Sequence, residues 1–353
     1  MIRATLCLDD AVGETRRALL DPLGRPFRLD IERWSERGRR AKLDDIWWGR
    51  ARKRTTGGGW FVDLGLDADG VIDVTKSAVT EGALIPVRVK SEAWSDKGPA
   101  LSRADMSPAT PRPDGPSLHK AAGDTFAAGV TVVATLTAEA ARREIDAAIE
   151  EAGQVVCAVA GGGDIAVQRT RALTAIDVDA GNRLAKGSAE DFGLALNLEA
   201  ADEAARQIAL RGIGGLVVAD FLNMASSKSQ RLTALAFREA LALWLGRASD
   251  VRELSGLGLC EAAIARRARP VSDALATTKA DEREGLDALR MIESAGWAAR
   301  GARIRAKVSR EAATWLEADS LGWKEALAGR IGQRWTIDGA DRRPGPPEVW
   351  SET

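Results

Sequence analysis

The sequence predicts a multidomain α/β protein, α+β overall because helical and sheet regions are segregated, and three observations carry that prediction. In residues 171–221 two apolar runs, ALTAI and LVVA, flank a helical segment. In residues 45–102 five short apolar runs alternate with Gly-rich turns and leave no room for a helix. Pro108, Pro111, Pro113 and Pro116 then fall in one stretch of Ser, Ala, Asp and Gly, the composition of an extended linker. At 353 residues the chain exceeds one typical domain.

Residues 2–8 alternate weakly and read as a strand. Residues 16–20 and 27–31 flank Asp21-Pro22-Leu23-Gly24, a turn with Pro and Gly suitably placed, so residues 1–44 open the chain as a hairpin. The strands IWWGRARK, GGWFVDLG, DGVIDV, ALIPVRVKSEAW and KGPALS fill residues 45–102, and five strands in so short a span predict a closed OB-type barrel, in which wrapping removes the sheet edges. Arg50, Arg52, Lys53 and Arg54 lie on and after its first strand. Clustered cations suit a phosphate backbone, although a solvated edge strand carries them too. Residues 103–129 form the linker, and His119, the sole histidine, lies in it, which disfavours a chemistry built on histidine.

Residues 130–136 read as a strand and 138–152 as a helix with Thr137 as its N-cap and Glu139 at its positive end. Strands at 155–159 and 165–168 turn at Gly161-Gly162-Gly163. That Gly run is no phosphate loop, because no GK[ST] follows it. Next comes the strand-helix-strand unit. Leu194, Leu198, Ala201, Ala205 and Ile208 recur at helical intervals, and a crossover of this length lets the two flanking strands lie parallel. Asp177 and Asp220, which end the two apolar runs, then meet at one sheet edge. A carboxylate at a strand end also serves turns and caps, but two like charges at one edge repel unless a cation lies between them, and a divalent metal is the commonest answer. Asp179 shares the face of Asp177 in an extended chain. Residues 228–245 are an amphipathic helix, and Arg266, Arg267 and Arg269 close residues 130–270, the metal-binding core, as a basic cluster that serves either phosphates or a solvated end. Residues 271–338 alternate helix, strand, helices and strand as a small α/β subdomain, and 339–353, rich in Pro and Gly, are expected to be disordered.

Composition bounds the rest. Charged residues make up 29% of the chain and the net charge is −1, so a nucleic-acid binder must segregate its basic residues onto one face. Cys7, Cys157 and Cys260 form no CxxC pair, which disfavours both a disulfide framework and a zinc knuckle. No apolar run reaches the length of a membrane span and Asp9 and Asp10 stand near the N-terminus, so a cytoplasmic protein without membrane contact is expected.

The blocks ALTAIDV, NLEAADEAARQI and GGLVVADF, in this order and spacing, resemble the catalytic core of the ribonuclease E/G family. The resemblance implies a ribonuclease-H-like core, into which the barrel is inserted as an RNA-binding module of the ribosomal S-one type. It also implies a magnesium ion held by Asp177 and Asp220, which activates water to cleave single-stranded RNA. The family has Asn where this chain has Asp179, and Asp where it has Asn223, so amide and carboxylate have changed places. Asp179 is then either a third ligand or the group that orients the water. Phe61 matches a family aromatic on which a base stacks and Lys97 a basic residue beside it, while a second stacking aromatic falls at Val71. Trp60 or Trp47 offers a replacement π-face, although Phe61 and Trp47 equally suit a barrel core. Arg247 loosely matches a basic residue of the pocket by which long members sense an RNA 5′-monophosphate, and the interval before residue 163 is too short for that sensing domain. Residues 270–281 lack the cysteines of the family's zinc link. A monomer or dimer without zinc is therefore expected, and its activity is that of a magnesium-dependent endoribonuclease. The alternative is a non-catalytic or weakly catalytic RNA-binding regulatory protein on the same fold.

Overall fold

The computed structural model describes all residues except 74–78, 95–96, 108–109, 185–186 and 353. β1 (Ile2–Ala11), β2 (Glu14–Leu20) and β3 (Pro26–Arg33) form an antiparallel meander. Its second turn is built by Asp21, whose carboxylate accepts the amides of Leu23 and Arg25. The barrel follows as β4 (Ile46–Arg54), β5 (Trp60–Asp63), β6 (Gly70–Ile72), β7 (Leu84–Ser91) and β8 (Ala100–Arg103). Strand β4 pairs with both β5 and β7, and β6 runs parallel to β8, which closes five strands in the order β4-β5-β6-β8-β7, compatible with an OB-type barrel. Closure requires Gly98, where a Cβ would stand 1.9 Å from the Asp69 carbonyl oxygen.

The stretch expected as a linker contains β9 (Ser117–Lys120), a sixth strand added to β4 through the register pair Trp47 and Leu118. His119 lies in this strand. Pro111, Pro113 and Pro116 restrict the backbone that approaches it, and the backbone bonds offered by β4 supply the order that composition does not encode.

β10 (Val130–Thr137) returns to pair in parallel with β1, so the N-terminal strands and this one form a four-stranded sheet. Thr137 is the N-cap of α1 (Ala138–Gly153), but its side chain makes no capping bond. The remaining core strands make a separate six-stranded sheet: β11 (Val156–Ala158), β12 (Asp164–Arg169), β13 (Thr174–Asp179), then α2 (Ala189–Arg211), β14 (Gly215–Asp220), α3 (Ser227–Leu245), β15 (Asp250–Val251) and β16 (Leu259–Ile264), ordered β11-β12-β13-β14-β16-β15. The N-terminal strands and the Asp-bearing strands thus belong to two sheets, where the resemblance implied that both contribute to one ribonuclease-H-like fold.

Helices α2 and α3 join the sheets. Ile176, Val217 and Cys260 of the larger sheet, Leu196, Ala204, Phe237 and Trp244 of the helices, and Leu19 and Phe27 of the smaller sheet share one core. The Phe27 and Trp244 rings lie 5.4 Å apart. Of the expected stripe of α2, Ala201, Ala205 and Ile208 are buried and Leu194 is half-buried, whereas Leu198 is exposed; Leu196, Ala200 and Ala204 are buried beside them and widen the apolar face. Ser188 begins α2 with a capping box closed by Asp191.

After α4 (Val271–Ala276), the chain ends in α5 (Ala280–Ala298), β17 (Arg303–Ser309), α6 (Arg310–Glu317), α7 (Trp323–Ile331), β18 (Trp335–Ala340) and β19 (Glu348–Glu352). β19 pairs antiparallel with β17 through Arg305 and Trp350. The expectation of a disordered tail over 339–353 is corrected by this strand. Arg342, reaching buried Glu284, fastens the Pro-rich approach to it. A buried network of Asp9, Arg16, Arg142 and Glu293 ties this region to the first sheet. No helix among the described residues is long and apolar enough to cross a membrane.

Ser188→Ala removes the side-chain half of the capping box and leaves an N-terminal amide of α2 unpaired. It should cost about 1 kcal/mol, read as a lower urea midpoint with an unchanged slope.

Candidate active site

Strand alternation divides the six-stranded sheet into a covered face and an open one. Ile176, Val178, Val217, Ala219, Cys260 and Ala262 point into the core, whereas Asp177, Asp179, Asp220 and Glu261 are exposed. β13 and β14 are parallel, and their last register pair is Asp177 with Asp220. Asp177 lies two residues inside its strand, not past its end, and Asp179 is the final strand residue. Asp179 is paired across β12 with Asp164. Its Oδ1 accepts the Gly181 amide at 2.7 Å, which turns the chain out of the strand. In the next row Glu261 stands opposite Val218.

None of these five carboxylates has a Lys or Arg partner among the described residues. Neighbouring strands lie about 4.8 Å apart, so the Asp177 and Asp220 charges repel by roughly 1 kcal/mol in water, and by several times more if the face is covered and the effective dielectric falls. Such a pair favours a cation. Among the described residues no group of three or more His, Cys, Asp or Glu is placed to hold a metal. The arrangement offers two carboxylates from the protein, the donor set that magnesium accepts while keeping several waters.

Two features missed in the sequence hold this end of the sheet. Asn197 of α2, fully buried, donates from Nδ2 to the Leu222 carbonyl and accepts the Leu222 amide at Oδ1, both at 2.9 Å. One amide side chain thereby fixes the backbone two residues after Asp220. Its signal is a polar residue within the apolar stripe of a helix. Glu190, in the first turn of α2, accepts the amides of Ala225 and Ser226. The Ser229 hydroxyl and these two amides hold its carboxyl below the usual carboxylate range. Its support of the loop is therefore present above the ordinary Glu pKa and fades as pH falls through the lowered value. Asn223 is exposed, and its Oδ1 would lie 3.0 Å from a Cβ at Gly258. The loop after β13 is anchored by Arg183, bonded to both Glu199 oxygens at 2.6 and 3.2 Å.

The barrel residues divide. Phe61 is half-buried on β5, paired with Val71, and Lys53 Nζ lies 5.8 Å from its ring centre. Trp60 and Trp47 are 7% and 5% exposed and belong to the barrel core, so neither offers a free π-face. Arg50 donates to the carbonyls of Gly82 and Asp114, and Arg52 pairs with Asp63 at 2.8 Å. Lys97 is exposed beside Trp94. Arg267 and Arg269 are paired with Asp44 and Glu36, which leaves Arg266 without a carboxylate among the described residues. Arg247 donates to the Ala265 carbonyl, at the sheet end away from Asp220. A cavity of about 1320 Å³ lies elsewhere, between α1 and α5, with Arg142, Asp287 and Trp297 in its walls.

Residues 123–267 match the family model described as the Ribonuclease E/G family. Over this core the chain is similar to the ribonuclease E/G family. The matched residues contain every strand of the Asp-bearing sheet and exclude the barrel. Ribonuclease E of Escherichia coli (strain K12) is 34% identical over 160 residues, which are 42% of this chain and 15% of that protein. Ribonuclease E of Nostoc is 36% identical over 134 residues, 38% of this chain and 19% of the relative. The chloroplastic Ribonuclease E/G-like protein of Arabidopsis thaliana is 37% identical over 111 residues, 31% of this chain and 11% of the relative. The shared segment thus spans less than a fifth of each of these three relatives.

Asn197→Ala should leave both backbone groups of Leu222 unpaired in a buried site, at about 1 to 3 kcal/mol for each unsatisfied group. Amide exchange at Leu222 should accelerate while that of the barrel strands is unchanged, and wild-type protection at Leu222 would show that Asn197 is not its anchor.

Proposed function

We propose that the protein is a magnesium-dependent endoribonuclease acting on single-stranded RNA, in RNA processing or decay, with Asp177 and Asp220 as the metal ligands. The observation that carries this reading is the register pair of two unneutralised carboxylates on the open face of the sheet, within the segment shared with proteins named ribonuclease E. A magnesium ion bound there would supply a water of lowered pKa and stabilise charge developing on the scissile phosphate.

The protein's own groups have separate tasks. Asp177 and Asp220 present oxygens from adjacent rigid strands, so their spacing is set by backbone pairing and not by a mobile loop. Asn197 and Glu190 hold the loop that follows Asp220. Asp179, engaged with the Gly181 amide through one oxygen, keeps its second oxygen to orient a water. The barrel is read as the holder of the RNA strand, with Phe61 as a stacking surface and Lys53 and Lys97 as phosphate contacts. In this division the barrel supplies affinity and the sheet supplies chemistry.

A second reading, a non-catalytic or weakly catalytic RNA-binding regulator, is favoured by the exchanged amide and carboxylate at Asp179 and Asn223. One experiment separates the two. Purified protein should cut an A/U-rich single-stranded RNA with magnesium and fail to cut it with EDTA. Asp177→Asn and Asp220→Asn should each abolish that cleavage with an unchanged circular dichroism spectrum and retained RNA affinity. Wild-type rates in either variant would defeat the two-carboxylate site, and RNA binding without cleavage by the wild-type protein would favour the regulator.

A further inference from the structure

Three cations converge on one indole where the barrel meets the catalytic core. Trp94 lies between β7 and β8, and Lys97 reaches its ring from the same loop at 5.2 Å. From the core, the Arg266 guanidinium lies 4.0 Å from the ring centre and Arg169 lies 5.8 Å away. Arg169 is neutralised by Asp273 at 2.5 Å. Arg266 and Lys97 have no carboxylate partner among the described residues.

The place for Arg266 is built into the sheet. A Cβ at Gly214 would stand 2.8 Å from its side chain and one at Gly215 2.4 Å from its terminal nitrogen. Two successive glycines, the second at φ +104°, therefore leave the space in which this side chain lies flat and faces the indole. The barrel loop is fixed at the same seam. Glu92, 6% exposed, donates its amide to the Arg267 carbonyl at 2.7 Å and accepts the Arg269 amide at its carboxylate. An ordered ring carrying two unneutralised cations, one from each domain, is short of an anion.

We propose that Trp94 is a positioning residue that holds Arg266 and Lys97 as a seat for an internal phosphodiester of the RNA strand. The seat lies beside Gly215 at the start of β14 and Asp220 is the last residue of that strand, so five residues of strand, roughly 17 Å at about 3.3 Å per residue, separate it from the carboxylates. It engages the same strand a few nucleotides from the bond to be cut. The inference rests on RNA being the ligand of the proposed function, but not on cleavage.

The test measures affinity of the full-length protein for a single-stranded RNA across a salt series in EDTA, where no cleavage competes. For single strands each phosphate contact contributes about 0.7 to the slope of log K against log salt. Arg266→Ala and Lys97→Ala should each lower the slope by about 0.7. Trp94→Ala should lower it as well although it removes no charge, Trp94→Phe should keep the wild-type slope, and Trp94→Ala should lower it no further in a protein that already carries both Arg266→Ala and Lys97→Ala. A wild-type slope in Trp94→Ala would overturn the proposal, as would an effect of Arg266→Ala that disappears when the RNA 5′-phosphate is replaced by hydroxyl, because the ligand would then be a terminal phosphate. Unchanged slopes beside normal magnesium-dependent cleavage would remove the seat and leave the nuclease. The predicted slopes beside no cleavage would do the reverse.

Discussion

The parallel pairing of β13 with β14 is the constraint on which the rest depends. Register in a sheet is discrete, and a slip of one residue turns every side chain to the opposite face. With Ile176 opposite Ala219, and Asp177 opposite Asp220, Ile176, Val178, Val217 and Ala219 fall on the helix-covered side and the carboxylates on the open side. Burial of Ile176, Val178, Val217 and Ala219 therefore specifies the position of the two Asp residues. A core-packing energy is what keeps two mutually repelling charges adjacent in a protein that holds no compensating cation among its described side chains.

Around that pair, polar atoms serve backbone order. Asn197 closes both hydrogen bonds of Leu222, and Glu190 takes the two amides that follow. Helix α2 thereby binds the loop beyond β14 from two successive turns while its Ala-rich face packs on the sheet. The barrel is attached by a different device, a buried Glu92 whose amide donates to the Arg267 carbonyl and whose carboxylate accepts the Arg269 amide. It positions the Trp94 cluster over the glycines at the start of β14, so that one strand connects the barrel seam to the carboxylates.

Much of this was legible in the sequence because it rests on periodicity and punctuation. The apolar runs before Asp177 and Asp220, the helix between them and the five barrel strands are each specified by local pattern, and the structure places them so. What the pattern could not reveal depends on partners distant in sequence. β9 and β19 are ordered by pairing with β4 and β17, although their own composition is that of a linker and a tail. Trp60 and Trp47 look like stacking surfaces in isolation, yet closing the barrel turns both into its core. Of the helical stripe only Leu198 proves exposed, and Leu196, Ala200 and Ala204 join Ala201, Ala205 and Ile208 in the core. Trp94 and Arg266, separated by most of the chain, meet only once the barrel is docked.

The central claim is that Asp177 and Asp220 together bind one divalent cation. Replacing magnesium with ferrous iron, and then adding ascorbate and peroxide, generates hydroxyl radicals at the bound ion that cut the nearest backbone. The account predicts fragments ending near residues 177 and 220 in comparable yield, both suppressed by excess magnesium and both lost in Asp220→Asn. Cutting confined to other parts of the chain, or cutting near 177 that persists in Asp220→Asn, would contradict it.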